Sequence, residues 1–280
     1  MVALDPRIHP FRPEIAASFL KGQVEAERFV DGTLHQIISP HAPIRREPSH
    51  EARLDTEALL GERFIAYEFN GEGWAWGQLH SDGYVGFVAA EALGRAGPVP
   101  THKVTAQLTL GFPGPDIKLP PRATLPFGAR VVVKRQDERF AETETGLFLP
   151  LRHIAPLAFK ERDFVTVAEM FLGAPYLWGG KTALGLDCSG LVQVALQAAG
   201  IPCPRDSDMQ ELALGKLSTL GELRRGDLVF WKGHVAIARD PETLIHANAH
   251  HMMVAIESVA DAVARIKATG SIVTTVKRVG

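Results

Sequence analysis

Cysteine is scarce in this chain: Cys188 and Cys203 are the only two among 280 residues. Two thiols are too few for the disulfide framework of a small secreted domain, and they suit a reducing cytoplasm. Long apolar runs are also missing. No stretch of about eighteen apolar residues occurs, which excludes a membrane-spanning helix. The first fourteen residues carry Asp5, Pro6, His9, Pro10 and Pro13 where an export signal needs an unbroken apolar run behind positive charge. No export signal is read there, and a cytoplasmic protein is expected. An excess of charge is absent as well: 30 basic residues stand against 32 acidic ones, a net charge of -2, with no basic stripe to follow a phosphate backbone. Neither nucleic acid nor membrane is an expected partner. With 46% hydrophobic and 22% charged residues the chain can bury an ordinary core, and it is read as globular.

Residues 14 to 30 place Ile15, Phe19, Leu20, Val24, Phe29 and Val30 near helical spacing, so residues 1–34 are expected to be a helical segment. From 35 to about 157 the pattern changes to short alternating runs broken by Gly, Pro and Asp, the mark of small all-β structure. Within it, Leu60-Gly61-Glu62-Arg63-Phe64 is echoed by Phe127-Gly128-Ala129-Arg130-Val131, and Gly83-Tyr84-Val85-Gly86-Phe87 by Gly146-Leu147-Phe148-Leu149-Pro150. A tandem repeat of about 60 residues is inferred, with a linker near Gly97-Pro98-Val99-Pro100. Both copies resemble bacterial SH3 domains, 35–97 more closely than 101–157. The second copy replaces Trp74-Ala75-Trp76 by Phe140-Ala141-Glu142, so its expected role is structural.

Beyond 158 the helical period returns. Helices are predicted over Asp163–Leu172 and Cys188–Ala199, the second closed by Gly200. Strands are predicted at Asp227–Trp231 and His234–Ala238, joined by Lys232-Gly233, then at Thr243–Ala247 and Ser271–Arg278. The expected fold is therefore multidomain α+β: two small SH3-like β-barrels followed by an α+β domain over 158–280.

Cys188 lies in Asp187-Cys188-Ser189-Gly190-Leu191, at the start of the apolar helix, with Asp187 placed to cap it. The positive helix end is expected to favour the thiolate, and its N–H groups could receive an oxyanion. Gly233-His234-Val235 puts a histidine at the start of one strand, and Ile245-His246-Ala247 puts a second on the next. Nucleophile, base and orienting group are what acyl transfer requires. Asn248, two residues along on the same strand face, competes with His246 for the third role. His250 and His251 lack carboxylate or cysteine partners in the sequence and make a poor metal site, so no metal or cofactor is expected.

These segments resemble the NlpC-type family of bacterial cell-wall peptidases. The resemblance rests on Pro175-Tyr176-Leu177-Trp178-Gly179-Gly180, the Asp187-Cys188-Ser189-Gly190 segment, Pro204-Arg205-Asp206-Ser207 followed by Gln210, Gly226-Asp227-Leu228, and the two histidine segments, in the family's order. It implies a papain-like half-barrel that hydrolyses the γ-D-glutamyl to diamino-acid bond of murein stem peptides. Cys188 would attack, His234 would carry the proton, His246 would hold the His234 ring, and Tyr176 would stand near the oxyanion. Asp187, Ser189, Asp206 and Ser207 match cleft positions, with Asp206 assigned to the substrate's ammonium and the two serines to the glutamyl side. Members with tandem SH3 domains and no export signal resemble recycling enzymes in which the first SH3 domain closes the cleft around a free N-terminal L-Ala. In those terms Tyr84 and Glu47 are the amine-side candidates, with Glu51 the alternative to Glu47. An amidase or acyltransferase on the same fold, and a wall-binding module without catalysis, are the competing readings.

Overall fold

Alternation decides which face of each strand is buried. Along Trp74–Leu79, Ala75 and Leu79 enter one apolar core with Ile37, Ile44, Phe64 and Val88, while Trp74 and Trp76 join Tyr67, Val85 and Phe87 on the other face. Both faces must therefore be covered. In the computed structural model, which describes residues 4–279, the chain divides into two compact units, 1–159 and 160–280.

The first unit is almost entirely β. A seven-stranded antiparallel sheet runs in the order Leu93–Arg95, Thr33–Ile37, Arg63–Phe69, Trp74–Leu79, Val85–Ala89, His41–Arg45 and Leu54–Leu59. Three shorter sheets built from residues 102–156 surround a separate core of Val104, Leu125, Ala129, Val131, Ala141, Leu149 and Ile154. Gly61 and Gly128, the paired glycines of the repeat, both take positive φ, at 80° and 83°, and each precedes a strand. The two β segments meet closely at Gly61. A Cβ there would lie 2.4 Å from the Arg130 carbonyl oxygen, and Arg130 N–H donates to Leu60 O at 2.7 Å.

The helix expected over 14–30 does not form. Instead Ile15–Ala17 is a strand, paired antiparallel with Phe11–Arg12 and parallel with Phe29–Val30, followed by a single 3-10 turn at Ser18–Leu20. Ile15, Ala16 and Ala17 are all buried, whereas Phe19, which helical spacing placed on the apolar stripe, is 61% exposed. The physical reason is tertiary. The aromatic face of Tyr67, Trp74, Trp76 and Phe87 needs a cover, and Ile15 and Ala17 pack there with Val30. Gly22 at φ 82° then turns the chain where a helix would have continued.

The second unit has a six-stranded antiparallel sheet in the order Lys216–Ser218, Val273–Arg278, Asp227–Trp231, His234–Ala238, Thr243–Asn248 and Met253–Ser258. Four helices accompany it: α1 (Phe164–Met170), α2 (Cys188–Ala198), α3 (Ser207–Ala213) and α4 (Val259–Ala268). The apolar α2, buried along nearly its whole length, packs on His234–Ala238 and Thr243–Asn248. Helix α4 buries Ala262 and Ile266 against Val229, Trp231, Ala236, Leu244 and Val276. The alternation of the sequence did not indicate α3, α4 or the strand Met253–Ser258. Among the described residues no helix is long and apolar enough to cross a membrane.

Candidate active site

Cys188 is the first residue of α2, and the cap before it is Asp187. The Asp187 carboxylate accepts from Gly190 N–H at 2.6 Å and from Gly179 N–H at 2.8 Å, joining the helix start to the preceding turn. Gly190 is required by the same junction. A Cβ on it would lie 2.3 Å from the Gly180 carbonyl oxygen, closer than any real contact allows.

Arg205 completes this base. Only 1% exposed, it donates from Nη1 to Asp187 Oδ1 and Ser189 Oγ, both at 2.9 Å, and from Nη2 to Asp187 Oδ2 at 2.7 Å. Asp187 and Ser189 are themselves buried, at 7% and 6% exposure, so both expected cleft residues spend their polar atoms on an internal network. Gln210 adds to it, donating to Ser189 O and Pro204 O at 2.9 Å each. The pattern offered one signal for Arg205, its place in the Pro204-Arg205-Asp206-Ser207 motif, but no indication of its partner.

The sulfur of Cys188 receives the backbone N–H groups of Val235 and Ser189. Val235 follows His234, so the thiol lies beside the start of that strand. His234–Ala238 pairs with the next strand only at Ile237↔Ile245 and Ala238↔Leu244, so the ladder stops short of His234. His234 Nε2 is 2.9 Å from His246 Nδ1, and His246 Nε2 is 3.1 Å from Glu257 Oε2. His234 thus uses Nε2 on its neighbour and keeps Nδ1 for another partner. Asn248, the competing third residue, instead accepts from His251 N–H at 2.8 Å and holds the His251 ring at 3.0 Å. Tyr176 is half-buried on the segment bridged to Leu186, near enough for Cys188 and Asp187 to bias its hydroxyl electrostatically.

The protonation pattern differs from the expected one. Burial pushes the Cys188 thiol up to about 12, with the Asp187 charge adding to it, and the N–H groups of Val235 and Ser189 only partly oppose this. A helix tip favours a thiolate, but here desolvation and a neighbouring carboxylate outweigh it. His234 and His246 are depressed to about 3 and about 4, chiefly by burial. Each charge taken singly is opposed, so the resting pair is a neutral thiol and a neutral imidazole. Tyr176 is also raised to about 12 by burial and remains an O–H donor.

Asp206 and Ser207 begin α3 and are both half-buried. Tyr84 is 3% exposed and Glu47 is exposed. These two belong to the first unit, where Tyr84 lines a cavity of about 510 Å³ with Arg7, Arg12, Arg46, Trp76 and Phe87. Arg12 stacks over Trp76 and Phe87 in its wall, 4.8 Å and 5.2 Å from the ring centres.

Comparison with known families gives two matches. Residues 44–93 match the bacterial dipeptidyl-peptidase SH3 domain, and residues 173–272 match the NlpC/P60 family. The C-terminal unit is an NlpC/P60 domain. The matched residues include Tyr176, Cys188, His234 and His246. Among curated relatives, the chain is 37% identical over 99 residues to dipeptidyl-peptidase 6 of Lysinibacillus sphaericus, covering 34% of this chain and 36% of that protein. It is 31% identical over 134 residues to the γ-D-glutamyl-L-lysine dipeptidyl-peptidase of Bacillus cereus, covering 45% of this chain and 37% of that protein. The matched stretches thus span little more than a third of either relative. An NlpC/P60 family protein from Bacillus cereus has the same fold, with a TM-score of 0.75 at 20% identity over 88% of this chain and 99% of that one.

Proposed function

We propose that the protein is a cysteine peptidase that hydrolyses the γ-D-glutamyl to L-diamino-acid bond of murein stem peptides bearing a free N-terminal L-Ala. The product would be L-Ala-D-Glu, and the setting would be cytoplasmic recycling of wall peptides. Two N-terminal SH3-like barrels, 35–97 and 101–157, accompany the catalytic domain of 158–280 in this reading. The observations that carry it are Cys188 at the head of α2 with the N–H groups of Ser189 and Val235 on its sulfur, and, in the residue before Val235, His234 paired with His246 at 2.9 Å. Two relatives named γ-D-glutamyl-L-lysine dipeptidyl-peptidase add support for the bond type.

The chemistry follows from the neutral resting pair. As Sγ of Cys188 attacks the γ-glutamyl carbonyl, its proton passes to Nδ1 of His234, so the two charges appear together rather than one at a time. N–H groups at the start of α2 and the Tyr176 hydroxyl are the proposed donors to the oxyanion. The C–N bond then breaks and His234 returns the proton to the leaving amine. Water, deprotonated by the same imidazole, hydrolyses the thioester and restores the thiol. Asp206 is proposed to pair with the substrate ammonium and Ser207 to bind on the glutamyl side.

Mass spectrometry of products from L-Ala-γ-D-Glu-L-Lys and its diaminopimelate counterpart tests the proposal. Release of L-Ala-D-Glu is expected, lost by about a million-fold in Cys188→Ala, with an N-acetylated peptide resisting cleavage. Normal cleavage by Cys188→Ala would refute the mechanism, and equal cleavage of the acetylated peptide would refute the requirement for a free amine.

A further inference from the structure

The triad-like set continues beyond His246, and this continuation has no counterpart in the motifs. On the neighbouring strand Glu257 stands two residues beyond Ala255, the register partner of His246, and itself pairs with Leu244. Its Oε2 lies 3.1 Å from His246 Nε2 and 2.7 Å from Arg265 Nη2, and its Oε1 lies 2.9 Å from Arg265 Nε. Arg265 comes from α4, whose start is fixed by the Ser258 cap accepting from Asp261 N–H at 3.0 Å. The His246 side chain is wholly buried, that of Glu257 is 10% exposed and that of Arg265 is 24% exposed, so the row leads from the interior to the surface.

Donor and acceptor rules give this row a direction. A guanidinium can only donate, and the Glu257 carboxylate it grips is held ionised and can only accept. His246 Nε2 must therefore carry the proton, leaving its Nδ1 as a lone pair. His234 Nε2 must then donate to that lone pair, and Nδ1 of His234 is left unprotonated. That is the form a base needs to accept the thiol proton. Reversing either histidine would put a proton on the nitrogen that has to accept one. We infer that Glu257, clamped by Arg265, is a positioning residue that selects the tautomers of His246 and His234 and stabilises the imidazolium formed during attack. The inference rests on the Cys188–His234 reading above, and neither Glu257 nor Arg265 touches substrate in it.

The charged and titratable groups acting on the histidine pair are Glu257 on the edge strand, Arg265 on α4 and His251 in the loop after Asn248. Glu257 favours the protonated form of both rings, Arg265 opposes it in both, and His251 opposes it in His246. Substitutions of the two partners should therefore move the acid limb of the rate in opposite directions. Glu257→Gln keeps the shape and removes the charge. It is expected to lower kcat by about 10- to 100-fold with KM little changed, and to shift the acid limb of kcat/KM to lower pH. Arg265→Met should shift that limb upward, and Arg265→Lys, which keeps the charge, should restore most of the wild-type profile.

Two measurements need no peptide substrate. Nitrogen-15 NMR of the histidine rings in the wild-type protein should find His246 and His234 protonated at Nε2, whatever the fate of any variant. The pH profile of Cys188 alkylation by iodoacetamide, followed peptide by peptide, should shift with the same signs as the rate. A wild-type His246 proton on Nδ1 would overturn the inference, as would a folded Glu257→Gln protein with unaltered kcat and alkylation profile. A variant that loses stability while its profiles stay in place would mark a purely structural ion pair, which also overturns it. If the wild-type protein cleaves no murein peptide, the proposed function fails, whereas the tautomers and alkylation profile still decide this point.

Discussion

Replacing Arg205 by methionine tests the base on which Cys188 stands. The substitution keeps much of the buried volume and removes the guanidinium, with its bonds to Asp187 Oδ1, Asp187 Oδ2 and Ser189 Oγ at 2.9, 2.7 and 2.9 Å. What remains is a carboxylate that is 7% exposed and has lost its counter-charge. Breaking a buried pair from one side costs about 3–5 kcal/mol. Asp187 retains the N–H groups of Gly179 and Gly190, so the expected loss lies near the lower end, about 3 kcal/mol. Removing the stranded charge as well should recover part of it. In a cycle with Asp187→Asn, the double variant should be more stable than the sum of the single losses by about 2 kcal/mol, within the coupling range of residues in contact. Cys203 supplies the assay, since it is 5% exposed and belongs to the same unit. Its alkylation as a function of urea reports unfolding of that unit alone. A loss below about 1 kcal/mol for Arg205→Met, or an additive cycle, would refute the view that this ion pair holds the head of α2.

Four further outcomes are expected. The depressed histidines contribute stability that is present above their ordinary value of 6.5 and lost as pH falls toward about 4, at up to about 1.4 kcal/mol per pH unit each; urea midpoints across pH 4–7 check this, and an unchanged midpoint would contradict it. The raised thiol acts at the other end: its contribution is intact below 9.0 and is lost as pH rises toward about 12, so wild-type stability should fall more steeply in alkali than that of Cys188→Ala, in which raised tyrosines such as Tyr176 still titrate. Gly190→Ala should destabilise the unit by about 1–3 kcal/mol and reduce kcat, because its methyl would meet the Gly180 carbonyl. Tyr176→Phe should cost about 10² in kcat with stability retained, and full activity would remove the hydroxyl from the oxyanion scheme.

How far the chain could be read depended on how local each cause was. Asp227–Trp231 and His234–Ala238 were legible to the residue because short apolar runs meet a Lys232-Gly233 turn with Gly233 at positive φ. The start of α2 was legible because Asp187 is a side-chain cap, a bond that spans three residues. Residues 14 to 30 misled because apolar spacing is shared by a helix stripe and by an irregular cover. Only the aromatic face made from Tyr67, Trp74, Trp76 and Phe87 selects between them. Helix α4 escaped because its polar outer face dilutes the apolar period, although Ser258 and Asp261 offered a cap signal.

Order along the chain was enough to name a thiol, two imidazoles and a tyrosine as candidates, since motif spacing is a property of the sequence. It could not say that Asp187 and Ser189 would turn inward to Arg205, eighteen and sixteen residues away, or that Glu257 and Arg265 would stand behind His246. Those partners meet across a loop, a strand pair and a helix. Nor could it foresee a neutral resting thiol, because the opposing effects of a helix end and of burial depend on how much water the folded interior excludes.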